Sequence, residues 1–262
     1  MVSYTPQQSS INEYALQDAT KPHYLIIGTM KCGTSSLYEY LCKHPQIMPA
    51  KTKEVHFFDD NYSKGVEWYL RHFHKISDTQ KCLTGEATPK YLNLPGVEQE
   101  VFKLVPKVKL IILLRNPWER TISQYYHHIR GTKKDIPLES TLSNQMQLMA
   151  SLSEEELISG KNSLNFIARS LYVYHLMRWM SVFPREQFLI LKSEDFYTNP
   201  QQTLNKCNDF LDIDSFTLSD YGIYNSNSYK EIDNGLKNRL RDFFKPHNEK
   251  LEKYLDMDFS WE

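Results

Sequence analysis

Short apolar runs alternate along this chain with segments of helical spacing. Residues 24–27 are wholly apolar, and residues 108–114 are apolar apart from Lys109, which is typical of strands buried on both faces of a parallel sheet. Residues 82–85 and 188–191 form shorter runs of the same kind. Strands that alternate with helices favour parallel pairing with right-handed crossovers. The pattern therefore predicts a single α/β domain with a central parallel sheet flanked by helices.

Apolar residues three and four positions apart predict the helices between these strands. The predicted helices cover residues 34–41, 66–73, 97–104, 117–129, 164–179, 200–211 and 236–255. Pro246 is expected to interrupt the last of them, because proline lacks an N–H and clashes with the preceding turn. The stretch 212–234 is rich in Asp, Ser, Asn and Tyr and is expected to form a loop. Residues 1–20 are polar and without periodicity, so we expect a flexible N-terminal segment before a domain over 21–262.

The first strand leads into a loop with two glycines and a helix start rich in hydroxyl groups. Gly28 ends the strand, and Gly33 precedes the run Thr34, Ser35, Ser36. This arrangement points backbone N–H groups and a positive helix end at one spot, which predicts an anion site. The glycine spacing matches the phosphate loop of nucleotide hydrolases, in which a lysine directly follows the second glycine. Here Thr34 stands at that position, and the lysine lies inside the loop as Lys31.

A second polar element follows the strand predicted at 108–114. Arg115 stands at its carboxyl end, where ligands bind in open α/β sheets. Asn116 and Pro117 then suit a helix start, and Ser123 lies two turns on, facing back to that end. A phosphate-loop hydrolase would present an aspartate for Mg²⁺ where this chain has Arg115. The sequence therefore predicts a site that binds anions without a metal.

Three residues are candidates for a general base. Glu54 and His56 stand in the loop-like segment 50–60, and alternation would place both on one face if that segment is extended. Glu86 follows the short strand at 82–85 and is expected to cap backbone at the turn it begins. Spacing alone does not rank the three. Phe57, Phe58 and His175 are expected to be core residues.

Composition and charge exclude several classes of protein. The net charge is −1, so no basic surface indicates general binding to nucleic acid or to anionic membranes. No apolar run approaches the roughly 20 residues that a membrane helix needs, and the N-terminal residues do not have the pattern of a signal peptide. The four cysteines are scattered without metal-ligand spacing. They favour reduced thiols in a cytoplasmic protein.

Five motifs resemble those of a known family. They are GTMKCGTSSL, KEVHFFD, LRNPWERTISQYY, ARSLYVYHLMRW and FFKPHNEKLEKYLDMDFSW. Their order and content, from about residue 21 to residue 261, resemble the sulfotransferases related to heparan sulfate N- and O-sulfotransferases. Members of that family take a sulfuryl group from 3′-phosphoadenosine 5′-phosphosulfate (PAPS) and release 3′-phosphoadenosine 5′-phosphate (PAP).

The resemblance implies roles for individual residues. Glu54 matches the glutamate that is the catalytic base in several members, with His56 beside it as helper, and Lys31 would stabilise charge on the departing nucleotide. The 3′-phosphate would be bound by Arg115 and Ser123. Tyr229 resembles an aromatic residue that lies near the nucleotide in the family. The 5′-phosphosulfate would be bound by the first loop, at Lys31, Cys32, Gly33, Thr34, Ser35 and Ser36.

The chain departs from the heparan enzymes at two positions. Heparan 3-O-sulfotransferases typically carry an arginine where this chain has Ser35 and a lysine where it has Ala87. Both of these family residues are basic and serve the acidic polysaccharide or the transferred group. The family's membrane anchor and its C-terminal cysteine pair are also absent from this sequence.

We therefore expect a soluble, bacterial-type sulfotransferase that uses PAPS, needs no metal, and acts on a hydroxyl of a small or medium-sized metabolite. Residues 131–162 are polar and carry the acidic piece SEEELISG; they are interpreted as an insertion over the rim of the acceptor site. Two other functions stay open, namely a phosphate-loop kinase or hydrolase that uses ATP and Mg²⁺, and a non-catalytic nucleotide-binding protein of the same fold. The sequence predicts no oligomeric state.

Overall fold

The computed structural model describes residues 20–77, 81–132, 136–222 and 232–261. In these ranges five strands form one sheet in the order β2-β3-β1-β4-β5, and each neighbouring pair is parallel. The central parallel sheet that the sequence predicted is confirmed. The strands are β1 (Tyr24–Gly28), β2 (Ile47–Pro49), β3 (Leu83–Ala87), β4 (Lys109–Leu114) and β5 (Phe188–Lys192).

Alternate residues of the central strands enter two separate cores. Leu25 and Ile27 pack on one face of the sheet, whereas Tyr24 and Ile26 pack on the other. All five residues of β1 are buried. A strand covered by helices on both faces has no polar face, which explains why its sequence is apolar throughout.

The helices flank this sheet. Their bounds are α1 (Thr34–Leu41), α2 (Val66–Leu70), α3 (Val97–Leu104), α4 (Pro117–Thr132), α5 (Leu138–Ala150), α6 (Glu154–Ile158), α7 (Tyr172–Met180), α8 (Ser193–Thr198), α9 (Pro200–Leu211) and α10 (Asn234–Leu255). All seven predicted helices are present, although α2 and α7 are shorter than predicted. Among the described residues, no helix is both long enough and apolar enough to cross a membrane.

The predicted break at Pro246 is wrong, because α10 continues through the proline. Pro246 and Asp242, four residues earlier, are both exposed. Water can therefore solvate the Asp242 carbonyl, which receives no bond from the proline. Phe244 and Leu251 are buried on either side, and this packing holds the two halves of the helix in line.

The predicted helix at 164–179 begins only at Tyr172, after a short 3₁₀ turn at Ala168–Ser170. Side chains take the backbone N–H groups that a helix would use. Asn165 accepts a hydrogen bond from the Ala168 N–H, and Gln145 accepts from Phe166 and Ile167. Such local bonds compete with helix formation.

Two short elements carried too weak a signal to be predicted. β2 has three residues, at the edge of the sheet, and α8 has six residues directly after β5. β3 was predicted at 82–85 and lies at Leu83–Ala87, so Glu86 belongs to the strand itself.

Residues of the predicted insertion pack into the main domain. Leu142, Met149 and Leu157 are buried in the same core as β1 and β4. Glu139 lies 2.7 Å from Arg239 of α10, and Glu154 pairs with Lys250 of the same helix. The described part of this segment is therefore integrated with the fold.

Glu86 is fully buried at the carboxyl end of β3 and accepts four hydrogen bonds. Its Oε1 accepts from the Tyr69 hydroxyl at 3.1 Å and the Tyr91 hydroxyl at 3.0 Å. Its Oε2 accepts from the Val55 N–H at 3.2 Å and from the Thr88 hydroxyl. The carboxylate is thus a structural group, as expected. However, the backbone group it caps lies in the segment 50–60, not in the turn after β3.

The hydroxyl partners of Glu86 extend this contact along segment 50–60. Tyr91 accepts a hydrogen bond from the Phe57 N–H at 2.8 Å, and Thr88 accepts one from the His56 N–H at 3.3 Å. Phe57 and Phe58 are buried, which confirms their predicted place in the core. The backbone around His56 is therefore held to the end of β3 by one buried carboxylate and its partners.

Burial raises the pKa of Glu86 to about 7, against the lowering effect of its hydrogen bonds. The folded state therefore holds this proton more tightly than the unfolded state, in which the pKa is near 4.5. The stability that this gives is fully present below pH 4.5 and is lost as the pH rises through 7.

We expect the unfolding free energy of the wild type, minus that of Glu86→Gln, to fall by about 3 kcal/mol between roughly pH 4.5 and pH 8. The amide does not titrate, so the difference isolates Glu86. Denaturant unfolding at constant ionic strength measures it, and Glu139→Gln, at an exposed carboxylate of α5, is the control. A difference that does not change with pH would contradict the pKa shift.

Candidate functional site

The loop between β1 and α1 forms an open helix start. Gly33 precedes α1 with φ near 93°, and an added Cβ there would lie 3.0 Å from the Tyr197 hydroxyl and 3.2 Å from the Phe196 ring. The positive φ and the short distances to these two side chains both favour glycine at position 33. In the described part of the chain, no side chain caps α1 and its first turn has no acidic residue. Its N–H groups and positive end are therefore not occupied by a side-chain cap, which is compatible with the predicted anion site.

Lys31 lies among other cations. It is half-buried, and its pKa is lowered first by that burial and then by the positive charges of Arg130 and Arg115. Arg115 follows β4 and is itself paired with Glu119, at 3.1 Å from Nε and 2.7 Å from one terminal nitrogen. Like charges repel, so a bound anion would stabilise the cluster.

Cys32 differs from the other predicted loop residues. Its thiol is fully buried and burial raises its pKa to about 11. Its N–H donates to the Thr29 carbonyl at 3.2 Å, and its own carbonyl accepts from the Ser193 hydroxyl at 2.8 Å. The backbone N–H and carbonyl of Cys32 are both hydrogen-bonded within the protein. This geometry does not favour the predicted contact between Cys32 and the cofactor. Thr34 and Ser36 are buried in α1, and Ser35 is partly exposed.

One face of α4 looks towards both Lys31 and Glu54. Ser123 is buried on this helix, and His127 and Arg130 follow it at four and seven residues, on the same face. The pKa of His127 is lowered by burial and then by Lys31 and Arg130, and it is raised by Glu54. The sequence analysis missed His127 and Arg130, although their spacing from Ser123 could have indicated them.

Glu54 is partly exposed (36% of its side chain) and contacts a basic side chain through each of its two oxygens. The Lys53 ammonium lies 2.6 Å from Oε1, and His56 Nε2 lies 3.3 Å from Oε2. The predicted proximity of Glu54 and His56 is confirmed. The segment is not a regular strand, since His56 has φ near 53°. A turn therefore brings the two side chains together.

His56 lies in an acidic environment. Its Nδ1 lies 2.8 Å from Asp59, whose side chain is buried, and 3.7 Å from Asp60. Burial lowers the pKa of His56, but Asp59, Glu54 and Asp60 outweigh it, so the net pKa is raised. Lys90 pairs with both aspartates, at 3.3 Å and 2.6 Å. An ammonium therefore already occupies this acidic cluster.

The three candidate bases differ in access. Glu86 is saturated with hydrogen bonds in the core, whereas Glu54 and His56 keep about a third of their side chains exposed. His175 is buried with Nε2 at 2.9 Å from the Ala168 carbonyl, which confirms it as a core histidine. Tyr229 lies outside the described residues. The arrangement can therefore bind an anion at the loop, beside an accessible carboxylate–imidazole pair.

Comparison with known proteins agrees with this geometry. Residues 21–249 match the model of the sulfotransferase domain family. The chain is 30% identical to the membrane-associated sulfotransferase kil1 of Dictyostelium discoideum, over 92% of this chain and 66% of that protein. It is 29% identical to heparan sulfate glucosamine 3-O-sulfotransferase 5 of Mus musculus, over 97% of this chain and 78% of that protein.

A solved structure has the same fold over nearly its full length. The crystal structure of a sulfotransferase from Alicyclobacillus acidocaldarius superposes with a TM-score of 0.76 at 28% identity. The match covers 92% of this chain and 98% of that one. Together with the family match over residues 21–249, this shows that the chain belongs to the sulfotransferase family.

Proposed function

We propose that this protein transfers the sulfuryl group of PAPS to a hydroxyl of a small or medium-sized metabolite and releases PAP. The observation that carries the proposal is the convergence of Lys31, Arg115 and Arg130 beside the open start of α1. A group of cations in which Lys31 and Arg115 are partly buried and Arg130 is exposed fits a donor that carries negative charge at both its 3′ and 5′ ends.

The donor would be held at two places. The helix-start N–H groups of α1, the hydroxyls of Thr34, Ser35 and Ser36, and Lys31 would bind the 5′-phosphosulfate. Arg115 and Ser123 would bind the 3′-phosphate, with Tyr229 near the nucleotide. When bound, PAPS supplies a sulfuryl group on a phosphate leaving group. Lys31 would then stabilise the negative charge that develops on that leaving group.

Glu54 is the base in this proposal. Of the two accessible candidates, it is the carboxylate, and its contacts with a lysine and a histidine fix its orientation. It would take the proton of the acceptor hydroxyl. His56, held by Asp59, would orient Glu54. The chemistry needs alignment and charge stabilisation more than covalent catalysis.

We also propose that no metal takes part. In a phosphate-loop hydrolase, Mg²⁺ and its aspartate stabilise the transferred group; here Arg115 stands at the aspartate position. Turnover of PAPS that is unchanged by chelator, with no turnover of ATP, separates this function from a kinase or hydrolase.

The free cysteines at 32, 42, 82 and 207 support a cytoplasmic location.

The acceptor is proposed from the two departures at Ser35 and Ala87, which remove basic side chains that a polyanion would use. Residues 131–162 would border the acceptor side, because they follow the end of α4. The glutamates of this segment add little to the argument, since Glu154 pairs with Lys250 and Glu156 with Lys161.

Arg115→Ala is expected to weaken PAP binding tenfold or more, since a lost charge-assisted contact costs on the order of 1.5–3 kcal/mol. Adenosine 5′-phosphosulfate lacks the 3′-phosphate and should bind almost unchanged. Calorimetry with both ligands measures this, and Arg239→Ala, at an arginine paired with Glu139, is the control. Equal losses for the two ligands would show that Arg115 does not bind the 3′-phosphate.

Glu54→Gln is expected to keep the fold and PAP affinity but to lower kcat by roughly 10²-fold or more, the scale of general-base loss. His56→Ala should lower kcat less. Glu100→Gln, at a partly exposed glutamate of α3, is the control in the same PAPS-to-PAP assay. Near-normal turnover of Glu54→Gln together with an inactive His56→Ala would move the base to His56.

We expect small neutral or cationic alcohols to be preferred over sulfated polysaccharide. Radiolabelled PAPS, offered with a panel of alcohols and with heparan sulfate, measures the preference as label transferred per unit time. Efficient labelling of heparan chains with the alcohols left unlabelled would contradict the proposed acceptor. PAP binding without transfer to any acceptor would instead indicate a non-catalytic protein.

A further inference from the structure

Lys53 links the phosphate-binding loop to the proposed base. Its ammonium lies 2.8 Å from the Ser35 hydroxyl, in the first turn of α1, and 2.6 Å from Glu54 Oε1. One side chain therefore touches the place where the donor's sulfuryl end would lie and the group that would take the acceptor's proton. The sequence analysis assigned it no role.

The backbone of Lys53 is fixed by the sheet. Its carbonyl accepts a hydrogen bond from the Ala87 N–H, at 3.1 Å, at the end of β3. The side chain then runs to Ser35. The Lys53 ammonium thus lies at Ser35, one of the two positions at which the heparan enzymes would carry a basic residue, whereas its contact with Ala87 joins backbone groups only.

A contribution to folding stability does not explain the ion pair between Lys53 and Glu54. The side chains of Lys53 and Glu54 are 25% and 36% exposed, and ion pairs with such access to water contribute little to folding. A cation 2.6 Å from a carboxylate does, however, fix the orientation of that carboxylate. A cation at the start of α1 also adds to the positive end of that helix.

We propose that Lys53 is a positioning residue that links the start of α1 to Glu54. It holds Glu54 aimed at the acceptor, and its ammonium lies beside the place proposed for the sulfuryl oxygens at the start of α1. The inference rests on the proposed function and deepens it. In the transfer, the acceptor oxygen forms a bond to sulfur while the bond from sulfur to the phosphate oxygen breaks. The bonding electron pair leaves with PAP, and the acceptor proton goes to Glu54.

The experiment compares Lys53→Met, which keeps the stem and loses the charge, with Lys53→Arg, which keeps the charge. PAPS conversion to PAP is followed with water and with the best alcohol as acceptor. We expect Lys53→Met to lower kcat by roughly 10- to 100-fold, towards the effect of losing one preorganised donor. Lys53→Arg should stay within about threefold of the wild type, because Arg keeps the charge and can donate to a carboxylate.

Ligand binding separates this role from a merely structural one. PAP has no sulfuryl group, so its affinity should change less than about twofold while PAPS binds more weakly. Lys250→Met, at a similarly exposed lysine paired with Glu154, should follow the wild type in every measurement.

A second variant places a positive charge at position 35, the residue that Lys53 contacts, after the charge at position 53 has been removed. Ser35→Arg in the Lys53→Met background should recover part of the lost turnover. Wild-type turnover and wild-type PAPS affinity in Lys53→Met would overturn the role of Lys53 alone. Equal loss of PAP binding in Lys53→Met and Lys53→Arg would also overturn it, in favour of a structural role. A wild-type protein that neither binds PAP nor converts PAPS would overturn the proposed function itself.

Discussion

The buried carboxylate of Glu86 fixes the path of the segment that carries Glu54 and His56. Ionised carboxylates are costly to bury without partners, and this one has four, two of which come from tyrosines that also serve as acceptors or packing surfaces. Because the Val55, His56 and Phe57 N–H groups all end on Glu86 or its partners, the loop has little freedom to move from the end of β3. The accessible Glu54–His56 pair thus depends on a group that itself has no access to substrate.

The loop before α1 differs from the surroundings of Glu86, because its charged groups have the same sign and few partners. Positive groups at Lys31, Arg115 and Arg130 gather around a helix start that has no acidic residue in its first turn. Such an arrangement is unfavourable when empty and favourable around an anion, so part of the binding energy of a polyanionic ligand is prepared in the fold. Glu119 limits the cost of the unliganded state by giving Arg115 a local partner, as Glu54 does for the neighbouring Lys53.

The sequence was most informative where one residue type has one physical use. The apolar runs of β1 and β4, Gly33 with its positive φ, and Pro117 at the start of α4 were all readable. It was least informative where tertiary contacts decide. Pro246 is tolerated because buried residues on both sides hold α10, and residues 164–171 leave the helix because Asn165 and Gln145 take their N–H groups. Lys53 was not predicted because its partner Ser35 is distant in sequence, and no periodic pattern joins them.

The length of helix α4 sets the distance between the two proposed ends of the cofactor site. Its first turn adjoins Arg115, where the 3′-phosphate is proposed to lie, and its far end brings Arg130 near Lys31, where the sulfuryl group is proposed to lie. An α-helix rises 1.5 Å per residue, so Ser123 and Arg130 are about 10 Å apart along one face. The spacing between the two ends of the ligand is thus set by a rigid count of residues. A single inserted residue within this stretch would turn His127 and Arg130 by about 100° away from the site. The length of this helix is therefore constrained as tightly as the identity of its side chains, and variation in this part of the chain is to be expected beyond Thr132 rather than within it.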